Sequence, residues 1–157
     1  MDKTELLMRE QIDDLLSGQP LAVLSTQRNG QPYSSLMAFA HTPDLGVVVV
    51  ATGKSTRKYQ NIIRDSRVSL LVDNRSNNEE DFHAAAALTV LGVAKNIESD
   101  ERQVFETIYL ERHPYLQKFL HAPTTSFIKI EVHCYLLVSR FQNVMEYRIG
   151  EHADLFS

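Results

Sequence analysis

The alternation of apolar and polar positions divides the chain into one helical stretch followed by a run of strands. Met8, Ile12, Leu15 and Leu16 fall at i, i+4, i+7 and i+8, a single apolar stripe of an amphipathic helix. Asp2 and Glu5 have the spacing of a capping box at its start, and Gly18 and Pro20 close it in the usual order. Residues 21–26 are apolar and rich in β-formers, and Asn29-Gly30 supplies the positive φ angles of a tight hairpin. Residues 32–40 return as a second strand. Thr42-Pro43-Asp44-Leu45-Gly46 is a second turn, and the β-branched run 47–51 is a buried third strand. Short turns between three strands make an antiparallel meander.

Beyond it, Ser55 has the character of an N-cap, with Tyr59, Ile62 and Ile63 on one face of a short helix ending near Asp65. Residues 68–72 form the next strand, 74–80 a polar loop, and 84–97 contain a long strand with Gly92 as a bulge. Ser99 caps a third helix whose buried face is Val104, Phe105 and Ile108. Pro114 breaks it and opens a fourth, with Leu116, Phe119 and Leu120 as its apolar set. Residues 127–132 and 135–141 are two closing strands, and the tail from Met145 is left unassigned. Strands dominate and are mostly joined by short turns. The pattern predicts a mainly β (α+β) fold: an antiparallel barrel with peripheral helices in a single domain over 1–157. Its parts are an N-terminal helix (1–18), a barrel core (20–97), a helix pair (98–122) and closing strands (124–141).

A chain of 157 residues is long enough to bury a real core, and its 43% apolar and 23% charged content is ordinary for a globular protein. The net charge of −4 lacks the basic excess of a nucleic-acid binder. No stretch approaches the roughly 20 apolar residues of a membrane helix, and the N-terminus has no apolar signal core, so a cytoplasmic location is expected. Cys134 is the single cysteine; it cannot form an internal disulfide, suits a reducing compartment, and is expected to be a small buried hydrophobe.

Chemistry concentrates in Ala51-Thr52-Gly53-Lys54-Ser55-Thr56-Arg57-Lys58, between a buried strand and a helix start. Cations in the first turn of a helix oppose its dipole, by roughly 0.3–1 kcal/mol each. A bound anion reverses that sign, because free amides, a hydroxyl and two cationic side chains together make a phosphate site. A solvated basic loop explains the same residues. The segment lacks the glycines of a P-loop or of a dinucleotide fingerprint.

Several stretches in order carry a family resemblance: Leu24-Ser25-Thr26, Gly30-Gln31-Pro32, residues 34–39, Ala51-Thr52 through Thr56-Arg57-Lys58, Asp65-Ser66-Arg67-Val68-Ser69-Leu70-Leu71, and Val90-Leu91-Gly92-Val93-Ala94. The chain resembles the pyridoxamine 5′-phosphate oxidase superfamily, the FMN-binding split β-barrels, over roughly residues 20–97. The resemblance implies FMN as cofactor, and a homodimer with two FMN sites at the subunit interface. Arg57 and Lys58 match the basic pair that holds the FMN phosphate, and Thr52 a threonine that contacts the cofactor. Ser55 and Thr56 stand where a hydroxyl can join the phosphate. Ser35, Leu36, Met37, Ala38 and Phe39 match the strand whose backbone runs beside the flavin ring. The small side chains of residues 84–87 would admit the ring or a partner subunit, or mark a frayed strand entrance.

The departures are informative. Ser35 stands where the oxidase has arginine, Ala40 near its lysine, and Ala87 at a glutamine contact; the C-terminal arginine-histidine motif that engages the vitamin has no match in Arg140, Arg148, His133 or His152. The expected activity is therefore an FMN-dependent oxidoreductase that passes electrons between a small-molecule donor and acceptor other than vitamin B6. Three rivals remain: a haem-binding or haem-degrading barrel using His133 or His121, a non-catalytic flavin carrier or redox sensor, and the deazaflavin F420 as cofactor. The six histidines (the remaining three are His41, His83 and His113) show no metal-ligand spacing, and His113 before Pro114 is expected at a helix end. The acidic clusters Asp13-Asp14 and Glu79-Glu80-Asp81 are surface features.

Overall fold

In a computed structural model, which describes residues 1–140 and 143–150, the first helix α1 spans Lys3–Gly18 and is capped by the Asp2 carboxylate, which accepts from the Glu5 amide at 2.8 Å. Its buried face is Ile12, Leu15 and Leu16. No basic residue lies in its last turn; Arg112 supplies the missing cation from elsewhere in the chain, donating to the carbonyls of Ser17 (3.1 Å) and Gln19. Strands β1 (Leu21–Arg28) and β2 (Gln31–Ala38) form the hairpin, turning at Asn29 and Gly30 with φ of 52° and 80°. The two-residue β3 (Ala40–His41) and β4 (Val47–Gly53) follow, then α2 (Arg57–Arg64), β5 (Arg67–Asp73), the short α3 (Asp81–Ala84) and β6 (Ala86–Asn96). The helix α4 (Arg102–Arg112), a 3₁₀ turn (Pro114–Leu116) and α5 (Gln117–Leu120) lead to β7 (Thr125–Ser139) and β8 (Asn143–Arg148). Among the described residues no helix is long and apolar enough to cross a membrane.

The strands form one antiparallel sheet in the order β2-β1-β5-β6-β7-β4-β3, with β8 beside β7. The two ends of that order are neighbours in the chain. Residues 31–38 pair with β1, whereas Ala40 and His41 pair with Val49 and Val48 of β4, so one extended segment closes the sheet. Phe39 sits at the changeover and belongs to neither ladder. Its carbonyl is met instead by His113 Nε2 at 2.7 Å, in the buried interior. Because a carbonyl only accepts, Nε2 carries the proton. The Phe39 ring is fully buried beneath the Arg112 guanidinium, 4.7 Å from the ring centroid. Before Phe39, among the described residues, β2 pairs with β1 alone, and the barrel is split there.

The central strand β7 explains how the core is kept continuous. One edge pairs with β6 over 128–139; the other pairs with β4 over 125–131 and with β8 over 134–139. At the changeover Leu91 faces Cys134 and Gly92 faces Val132, which leaves His133 as the extra residue of a bulge. The bulge shifts the side-chain phase: Ile128, Ile130 and Val132 point into the core before it, Tyr135 and Leu137 after it. The Tyr135 hydroxyl donates to the Leu45 carbonyl at 2.8 Å, tying the second half of β7 to the turn before β4. Burial pushes this phenol well above its ordinary pKa.

Several sequence expectations are corrected. The two closing strands are one bulged strand followed by β8, which begins at Asn143 and runs into the tail left unassigned from Met145; Phe141, the end of the second, lies outside the described residues, as does His152. Thr56, not Ser55, caps α2. Ser99 caps nothing, because α4 begins three residues later and the Glu101 carboxylate takes the Glu98 amide instead. Val104, Ile63 and Phe119 are exposed, and the buried residues of α4 are Phe105 and Tyr109. The polar loop runs into α3, missed because Asp81 organises it from behind by accepting from the amides of Ser76 and Asn77. Cys134 is buried and His113 ends α4, both as expected.

Candidate functional site

The start of α2 is built by hydroxyls. Thr56 Oγ1 donates to the Gly53 carbonyl at 2.8 Å and accepts from the Tyr59 amide at 3.3 Å. Its one proton is thereby used, so the contact with Thr52 Oγ1 at 3.0 Å has Thr52 donating. Thr52 is 2% exposed, and its side chain supports the cap from below. Ser55, beside them, is exposed. The amides of Arg57 and Lys58 occupy the first two positions of the helix and by geometry have no intrahelical acceptor. With no acidic residue in that turn, Lys54, Arg57 and Lys58 surround a helix end that already carries partial positive charge. Among the described residues none of these three cations stands in an ion pair.

Other cations nearby are committed. A groove of about 550 Å³ between α2 and the β6–β7 edge is lined by Lys95, Lys129 and Glu131 among others. There Lys95 pairs with Glu131 at 2.8 Å and Lys129 with Glu101 at 2.8 Å. The Lys95 hydrogen bond holds the Glu131 carboxyl below its ordinary pKa, and the Glu101 hydrogen bond raises that of Lys129. Among the described residues Lys54, Arg57 and Lys58 have no such partner.

The helix is fixed to the barrel by polar contacts. Asn61, 1% exposed, donates from Nδ2 to Thr26 Oγ1 on β1 at 3.0 Å, while its Oδ1 is buried without a partner. Thr56 meets Thr52 at the end of β4, and the Arg57 guanidinium stands over the Tyr33 ring of β2. These contacts place α2 across the split between β2 and β4.

Along β2 the predicted cofactor strand divides by face. Ser35 and Met37 oppose the buried Leu24 and Ala22 and share their inward side; Leu36, opposite Val23, is 66% exposed, Ala38 is half-buried, and Phe39 is buried at the changeover. Ser35 Oγ is buried and without a partner. In an antiparallel ladder about half of a strand's amides and carbonyls face away from its neighbour, and those of β2 face the split. The structure thus brings Ser55, Thr56, Arg57 and Lys58 together at one end of the split and sets Ser35 and the free edge of β2 along it. An orphaned hydroxyl, a free strand edge and uncommitted cations at a helix start fit a planar polar ring with a phosphate tail. Two features escape the sequence reading: the inward Asn61, hidden in a polar helix, and Tyr33, which no spacing rule links to Arg57.

The outer face of the sheet carries apolar residues in register. Leu36 opposes Val23, Val23 opposes Leu71, Leu71 opposes Thr89 and Thr89 opposes Leu136. Leu21, Leu36 and Leu71 on this face are 47%, 66% and 37% exposed, a contiguous apolar row rather than scattered residues. The two histidines considered for haem stand apart in role: His121 is exposed and pairs with Glu106 at 3.2 Å, and His133 is the bulge residue of β7.

Residues 8–138 match the family described as "Pyridoxamine 5′-phosphate oxidase". A pyridoxamine 5′-phosphate oxidase homolog of Schizosaccharomyces pombe is 35% identical over 91 residues, covering 52% of this chain and 48% of that protein. Among solved structures, a haem-binding protein from Mycobacterium smegmatis superposes with a TM-score of 0.79 at 17% identity, covering 89% of this chain and 57% of that one. An FAD-binding protein from Mesorhizobium loti superposes with a TM-score of 0.66 at 15% identity, covering 82% and 90%. The chain spans about half the length of the curated relative and somewhat more of the haem-binding protein, and the structural likenesses at these identities speak to the fold.

Proposed function

The chain belongs to the pyridoxamine 5′-phosphate oxidase family, and from that premise we propose that it binds FMN in the split between β2 and β4 and acts as a flavin-dependent oxidoreductase. The observation that carries this reading is the set of uncommitted cations at the start of α2, beside a strand whose inner edge and one buried hydroxyl lack partners. Arg57 and Lys58, with their own amides and the Ser55 hydroxyl, would hold the phosphate. Thr56 and Thr52 shape that site without touching it, since the Thr56 hydroxyl is spent on the cap. Ser35 and the free amides of β2 would meet the polar edge of the ring.

Bound flavin supplies reversible acceptance of two electrons and a proton. The protein's part would be to orient the ring along β2 and neutralise the phosphate. The chain has no match for the C-terminal arginine-histidine motif that engages the vitamin in the true oxidases, which supports a donor and acceptor other than vitamin B6. The apolar row of Leu36, Leu71 and Leu136 supports a homodimer, with the second subunit covering the outer face and completing the cofactor site. The buried lone Cys134 suits a reducing cytoplasm.

The test is the visible spectrum of the protein mixed with FMN and passed through gel filtration. Flavin bands that elute with a particle of twice the chain mass support the reading. A colourless protein that instead develops a Soret band with haem would replace it with the haem reading, and His121→Ala and His133→Ala would then locate the ligand.

A further inference from the structure

Arg57 is the first residue of α2, exposed and repelled by the helix dipole, and among the described residues one contact holds its head group: the guanidinium carbon lies 5.7 Å from the centroid of Tyr33. Tyr33 is on β2 directly opposite Thr26, the same rung on which Asn61 anchors α2. Strand and helix are therefore locked together at the point where the aromatic ring meets the cation. The guanidinium is within cation–π range of the ring, and among the described residues no hydrogen bond or ion pair takes up its N–H groups, which leaves them for a bidentate contact with an anion.

We propose that Tyr33 is a positioning residue for the cofactor phosphate. It orders Arg57 before the ligand arrives, so that the cost of immobilising a long side chain is not met on binding. In doing so it makes the site select a flavin that ends in a phosphate over one that does not. The contact needs an aromatic face and makes no use of the phenolic hydroxyl. This inference rests on the FMN reading above.

The experiment is a pair of fluorescence titrations, with FMN and with riboflavin, on the full chain and on Tyr33→Leu, Tyr33→Phe and Arg57→Ala, alone and with Tyr33→Leu added to Arg57→Ala. Tyr33 is 37% exposed, and circular dichroism of each variant confirms that it is folded. The expected result is a loss of FMN affinity in Tyr33→Leu of about three- to thirtyfold. Riboflavin affinity stays unchanged, Tyr33→Phe behaves as the parent, and Tyr33→Leu has no further effect once Arg57 is alanine. Equal losses for both flavins, no loss at all, or an undiminished effect without Arg57 would overturn the inference while leaving the FMN reading in place. A parent protein that binds FMN no better than riboflavin would overturn the FMN reading and the inference together.

Discussion

Replacing Gly92 with alanine puts a Cβ 2.3 Å from the Glu131 carbonyl oxygen and 3.0 Å from its carbon, atoms of the backbone of β7. Neither can rotate away, so the two central strands must separate by at least about 0.7 Å to reach even a tight contact. The separation falls at the bulge, where β7 exchanges β4 for β8 and the inward phase changes from even to odd residues. Overpacking costs about 1–3 kcal/mol, and weakening one or two ladder hydrogen bonds adds about 1 kcal/mol each. The expected loss is about 2–5 kcal/mol, a large part of the roughly 5–15 kcal/mol that holds a domain. Thermal unfolding of a chain this size then shifts down by about 4–20 °C, and the urea midpoint falls with an unchanged slope. Gly18→Ala is the control: nothing lies within 4 Å of its Cβ, and alanine at a helix end is neutral to slightly stabilising. If Gly92→Ala stays within about 0.5 kcal/mol of the parent, the bulge is not the rigid junction described here.

Three further perturbations test the frame around the site. His113→Ala leaves the Phe39 carbonyl buried without its donor, at a cost of about 1–3 kcal/mol, read as a fall in the urea midpoint; an unchanged midpoint would mean that the break between β2 and β3 needs no such support. Thr56→Ala removes the α2 cap and should cost about 0.5–2 kcal/mol, with faster amide exchange in residues 57–60; uniform exchange would argue against the cap. The Asp65 carboxyl is held down at about 2, first by the Arg67 guanidinium and then by the Arg67 amide. A depressed folded value means that its contribution is complete above the unfolded value near pH 4 and is lost as pH falls toward 2. Arg67 is 74% exposed, so the effect is small and fades with salt. Asp65→Asn should abolish that part of the acid-unfolding profile, and superimposable profiles would contradict the assignment.

Most strands were legible because the barrel has one buried face per strand and turns with strong local chemistry, as at Asn29-Gly30. Gly92 could be read as a bulge site, but the extra residue is His133 on the partner strand. A break in alternation at His133-Cys134 looks the same in sequence whether a chain turns or bulges, and the long strand was therefore divided in two. Ser55 and Thr56 are equally good caps in isolation; the choice of Thr56 depends on Thr52, four residues away on β4. The basic segment was legible as a helix start with too much positive charge. The partners of Tyr33, Asn61 and His113 were not, because they lie 24, 35 and 74 residues distant in the chain, respectively Arg57, Thr26 and the Phe39 carbonyl.

Arg57 and Lys58 at the start of α2 are proposed to hold the phosphate of FMN, and calorimetric titration of FMN into the parent and into Arg57→Ala/Lys58→Ala decides whether they do. Charge-assisted hydrogen bonds contribute about 1.5–3 kcal/mol each, so the double variant should bind at least about a hundredfold more weakly. A double variant that is folded and binds FMN as tightly as the parent would show that these two residues do not hold the phosphate.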